Sequence, residues 1–69
     1  MKANALSISI RVGGSLEIAP VKLDGTEPVV APRQIVLPAT PHGSRGWIIH
    51  VNHRPSIERF FDENRLLGE

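Results

Sequence analysis

The sequence predicts an α+β fold. The expected architecture is a small antiparallel β-sheet of four to five short strands with one C-terminal α-helix, and a barrel partly closed by that helix is the near alternative. Three observations predict it. Apolar and polar residues alternate with period two from Leu6 to Ile18. Six glycines and six prolines cut the chain into short segments. Beyond Ser56 the apolar spacing lengthens to that of a helix. A chain of 69 residues is one small domain, residues 1 to 69. Such a chain buries only roughly 60% of its unfolded surface, so a partner subunit would help it.

The elements follow in order. Leu6, Ile8, Ile10 and Val12 alternate with Ser7, Ser9 and Arg11, which gives one apolar and one wet face. Gly13-Gly14 suits a two-residue turn, and Leu16 and Ile18 then face inward, so residues 5 to 19 form a β-hairpin. Pro20 cannot donate to a ladder and marks an edge, a bulge or an end; Val21 and Leu23 resume in the opposite phase. Asp24-Gly25 is a second hairpin turn, and the proline-bounded segment 27 to 32 is an edge strand or an extended loop. Gln34 to Leu37 is a short strand ended by Pro38, residues 38 to 46 are a loop, and Trp47 to Val51 is a strand.

The tail is helical. Ser56 is its expected N-cap, with Glu58 in the first turn. Ile57, Phe60, Phe61, Asn64 and Leu67 share one face, Arg59 and Glu63 form an i,i+4 pair, and Gly68 is the stop. A helix this short is marginal alone, so it must dock on the sheet. Leu66 points away from the docking face, as a scattered surface leucine or a partner contact.

Charge nearly cancels at +1, but its distribution is uneven. Residues 28 to 57 hold no Asp or Glu, yet carry Arg33, Arg45, Arg54, His42, His50 and His53. On one surface these would attract an anion, and Trp47 beside Arg45 would stack a base. The candidate nucleic-acid set is Arg11, Arg33, Arg45, Trp47 and Arg54. The loop Gly43-Ser44-Arg45-Gly46 has the spacing of a backbone-approaching GxxG, but it precedes a strand, so a plain hairpin loop is the better reading. The histidines lack a nearby carboxylate, and no metal or cofactor is expected. Ser44 and His42 have no acid beside them, and no nucleophile elbow, phosphate loop or dinucleotide fingerprint occurs. The chain therefore reads as non-enzymatic. It has no cysteine, which suits a reducing, cytoplasmic setting, and no apolar run approaching the roughly 20 residues of a membrane span.

Two resemblances stand beside this reading. The segment Leu6-Ser7-Ile8-Ser9-Ile10-Arg11-Val12-Gly13-Gly14-Ser15-Leu16-Glu17-Ile18 resembles the opening strands of the carbon storage regulator family, small dimeric RNA-binding β proteins. Trp47-Ile48-Ile49-His50-Val51-Asn52 is similar to a later strand of that family. The resemblance implies an RNA contact at Arg11, whereas Ile10 stands where the family usually has a second arginine. Gly46-Trp47 before a strand and helix also resembles the MbtH-like accessory proteins of peptide synthetases, without their tryptophan-proline signature.

The leading expectation is a binding module acting through protein–protein contacts. It would be an accessory subunit, or an inhibitor or regulator of a larger complex, of the kind phages and mobile elements encode. Its expected interface is Val29, Val30 and Leu66, because an unpaired edge strand can dock another chain. The prolines around it are read equally as protection of that edge against aggregation. The alternative function is RNA or single-stranded DNA binding through the basic middle segment. A homodimer pairing its edges across a two-fold axis suits both.

Overall fold

The computed structural model describes residues 2 to 64. Within them lie β1 (Ala5–Ile10), β2 (Leu16–Val21), β3 (Val29–Ala31), β4 (Gln34–Pro38), β5 (Thr40–Pro41), β6 (Trp47–Ile48) and helix α1 (Arg54–Asn64). The first four strands form one antiparallel sheet in the order β2-β1-β4-β3, and β5 and β6 form a separate hairpin. The fold is α+β. The sheet is open, not closed into a barrel, and β2 and β3 are its edges.

Strand β1 is central, and its composition explains why. Leu6, Ile8 and Ile10 point to the helix side, where all three are buried. On the opposite face Ala5 is small enough to be fully covered, and buried Ser7 has its hydroxyl satisfied by Gln34 Nε2 at 2.9 Å. Ile8, Ile10, Ile35, Leu37 and Phe60 make the core, with Ile49, Ile57 and Phe61 packed against it. Phe60 and Phe61 meet edge-on, with ring centroids 5.5 Å apart. The expected apolar face of the helix is therefore the docked one.

Several expectations change. The β1–β2 connection spans residues 11 to 15, because Ile10↔Leu16 is the last strand pair. Gly14 N–H donates to Arg11 O at 2.9 Å, and both Gly13 and Gly14 have positive φ. Strand β2 runs through Pro20 without a bulge, with Leu6↔Pro20 and Ala5↔Val21 in register. A proline is tolerated because β2 is an edge. Asp24-Gly25 lies in a crossover, since β2 and β3 sit at opposite edges of the sheet. Asn4 anchors its start: Leu23 N–H donates to Asn4 Oδ1 at 2.7 Å, and Asn4 Nδ2 donates to Leu23 O at 2.9 Å.

The strand expected at residues 47 to 51 stops at Ile48. A 3-10 turn, Val51–His53, follows, and His50 Nδ1 accepts from Asn52 N–H at 3.1 Å. That turn feeds directly into the helix, which starts at Arg54, two residues ahead of Ser56. Pro55 lies in the first turn, where its missing N–H costs nothing. The helix's ion pair is Arg54 Nε to Glu58 Oε2 at 3.0 Å, and Arg59–Glu63 is not among the ion pairs of the described residues. Leu66, Leu67 and Gly68 lie outside the described residues.

Pro32-Arg33 is the two-residue loop between Ala31 and Gln34. Arg33 has φ 65, a conformation that normally favours glycine. Its guanidinium returns to the end of β1: Nε donates to Ile10 O at 3.4 Å and Nη2 to Arg11 O at 3.2 Å. These contacts hold the strained turn against the first hairpin. Arg33→Ala keeps the strain and loses the clamp, whereas Arg33→Gly loses the clamp but relieves the strain. The glycine variant should therefore be the more stable of the two, by about 1 kcal/mol in urea unfolding. Equal stabilities would show that the turn carries no such strain.

Candidate protein-binding edges

The site begins with a mismatch of widths. An α-helix is about 10 Å across and strands lie about 4.8 Å apart, so one helix shields about two strands. The core residues supplied by the sheet come from β1 and β4 alone. The same face continues outward onto both edges. Leu16 and Ile18 lie opposite Ile10 and Ile8, and Val30 lies opposite Ile35. Directly opposed residues point to one side of a sheet, so all three share the core side. They are nonetheless 45%, 58% and 57% exposed. Leu16 and Ile18 thus face as expected but are not inside.

The two edges differ in what their backbones offer. Ile10 N–H donates to Arg33 O at 2.9 Å, and Arg11 N–H donates to Ser15 O at 2.8 Å. Antiparallel bonding alternates along a strand, so β1 bonds β4 at even positions and β2 at odd ones. On β2 this leaves Leu16, Ile18 and Pro20 with their backbone groups pointing outward. On β4 it leaves Gln34 and Val36 to bond Ala31 and Val29, so Val30 points outward. The next outward positions on that side are Pro28 and Pro32, which have no N–H. The β3 edge therefore offers one N–H, and the β2 edge offers two.

Val29 and Val30 are both exposed on β3, with side chains on opposite faces. Val30, Ala31 and Pro32 also line an open groove of about 350 Å3 whose other wall is Phe60, Glu63 and Asn64 of α1. The third expected contact, Leu66, lies outside the described residues. Sequence reasoning missed Leu16 and Ile18 as surface residues. Pro20 in the same strand was the signal that β2 is an edge.

The groove also orients the helix, because its C-terminal residues meet the β3–β4 turn. The N-terminal Arg54 is then about 15 Å away along the helix axis. Arg11 and Arg33 come together at the turn end of the sheet. Arg45 and Trp47 sit in the β5–β6 hairpin, which follows the other end of β4. Three of the four arginines in the candidate nucleic-acid set have internal partners: Arg11 pairs with Glu17 at 3.3 Å, Arg33 with backbone carbonyls, and Arg54 with Glu58. Arg45 closes a 3-10 turn through its backbone N–H to His42 O at 3.0 Å, and its guanidinium has no partner among the described residues. Trp47 is half-buried. Arg11 lies past the end of β1, so the contact implied by the family resemblance would come from a turn.

His50 and His53 come within 6.3 Å of each other, between ring centroids. No group of three or more His, Cys, Asp or Glu that could hold a metal ion occurs among the described residues. No helix of the described residues is long and apolar enough to cross a membrane. No family model, curated protein or solved structure matches the chain.

Proposed function

We propose that this domain is a non-enzymatic binding module that works through protein–protein contacts. Its role would be that of an accessory subunit, or of an inhibitor or regulator of a larger cytoplasmic complex. One observation carries the reading: the apolar core face runs past its single helix onto both sheet edges and is left uncovered there. Isolated surface apolar residues are ordinary, but a strip continuous with the core is a natural contact surface.

The partner's contact would lie at Val29, Val30 and the groove beside Val30. Prolines flank Val30 on the outward positions, so a docking chain gains little from backbone pairing there. It would instead insert an apolar side chain against Val30 and Pro32, with a donor or cation facing Glu63. Immobilised wild-type protein and a Val29→Ala/Val30→Ala variant should differ in what they retain from the native host's lysate. A specific band lost in the variant, with its unfolding midpoint preserved, is the expected result. Unchanged retention by the folded variant would remove this placement of the interface.

A second reading, RNA or single-stranded DNA binding, rests on Arg45, whose guanidinium has no partner among the described residues and which lies two positions before the half-buried Trp47. It would use phosphate contacts, so affinity would fall steeply with salt. The protein-binding account expects a silent amide spectrum when short mixed-sequence RNA or DNA is titrated at low salt. Shifts clustered at Arg45, Trp47 and Arg54 that weaken with salt would favour the nucleic-acid reading. Replacing Arg45 and Arg54 should then flatten the salt slope.

A further inference from the structure

We propose that the β2 edge is a self-association surface, which pairs with β2 of a second copy of this chain across a two-fold axis through Ile18. This inference is independent of the groove beside β3 and would stand if that groove bound nothing.

The argument is one of self-complementarity. The outward backbone groups of β2 belong to Leu16, Ile18 and Pro20. Two copies placed antiparallel about Ile18 set Ile18 opposite Ile18 of the second copy, and Leu16 opposite its Pro20. The two Ile18 residues exchange both N–H to carbonyl bonds. Each Leu16 N–H then meets the carbonyl of the opposing Pro20. Every outward N–H on both strands is satisfied, and the position without an N–H falls at the end of the ladder.

Charge selects this register over its neighbour. Shifting the axis to Glu17 would place two carboxylates directly opposite one another, which is destabilising. With the axis at Ile18, Glu17 lies opposite Ala19 instead. Glu17 then keeps its pairing with Arg11 at 3.3 Å within its own chain.

The apolar side chains agree with the backbone. Leu16, Ile18 and Pro20 face the core side, and the first two are 45% and 58% exposed. Pairing brings the two strips side by side and makes one eight-stranded sheet from two four-stranded ones. It also removes the open edge with the most free donors, a hazard that folded proteins usually blunt. The contrast with β3 is the second support. Val30 is flanked outward by Pro28 and Pro32, so that edge is already blunted and β2 is the one left open.

The test is hydrogen exchange by NMR on the isolated full chain, at several protein concentrations, with the mass followed by light scattering. The expected result is a dimer in which the Leu16 and Ile18 amides exchange about tenfold or more slowly as concentration rises, while Val30 does not change. Ile18→Lys, at an exposed position, should restore a folded monomer with fast exchange at Leu16. A monomer at all concentrations up to about 1 mM, a weak-affinity limit, would overturn the proposal. So would a dimer whose Leu16 and Ile18 amides stay unprotected.

Discussion

Phe60→Ala should remove most of the domain's stability. Phe60 is 1% exposed and is the only buried residue of α1 among those described. Truncating a buried phenylalanine costs about 3–5 kcal/mol. A domain of this length is worth roughly 3–10 kcal/mol in total, at typical values per residue. The loss also acts on the helix itself, because eleven residues hold little helix without docking. The expected result is a large fall in the urea midpoint, or a chain unfolded at room temperature. Phe60→Leu, which keeps an apolar group in the site, should cost about 1–2 kcal/mol. A folded Phe60→Ala protein with an unchanged midpoint would mean that the helix is not what closes the core.

The second large effect is a contrast between two isoleucines on one face of the sheet. Ile35 on β4 is fully buried, and Ile18 on β2 is 58% exposed. Ile35→Ala should cost about 2–5 kcal/mol, as for a buried aliphatic side chain. Ile18→Ala should cost less than about 1 kcal/mol, from strand propensity and partial burial. Both are to be measured by chemical denaturation at low micromolar concentration, where edge pairing contributes least. Equal costs would show that the helix covers β2 as well, and the exposed strip would then not exist.

These two residues also show where the sequence was readable. Alternation from Leu6 to Ile10 placed β1, and the 3.6 spacing of Ile57, Phe60 and Phe61 placed the docked helix face. Both signals arise from one element meeting one core. The exposure of Leu16 and Ile18 was not readable in the same way. It depends on strand order, and β2 is an edge only because β4 takes the other side of β1. Periodicity states which face a residue occupies, but not whether anything covers that face. The Asp24-Gly25 expectation failed for the same reason, because a favoured turn dipeptide cannot show whether the strands around it pair. The tail of the Trp47 strand was lost to a local contact. The His50 ring accepts from Asn52 N–H and turns the chain towards the helix, against the β-propensity of Ile49 and Val51. Arg33 was legible as a basic residue. Its use as a backbone clamp required knowing that the β3–β4 turn abuts the first hairpin.

The central claim is that one helix shields β1 and β4 and leaves the apolar strips of both edges in water. Methyl NMR of dilute protein with a soluble paramagnetic agent tests it most directly. The account predicts strong broadening of the Leu16, Ile18 and Val30 methyls and little change at Ile8, Ile35 and Leu37. Protection of Leu16, Ile18 and Val30 equal to that of Ile35 would contradict it, because the apolar strips of both edges would then already be covered within the chain.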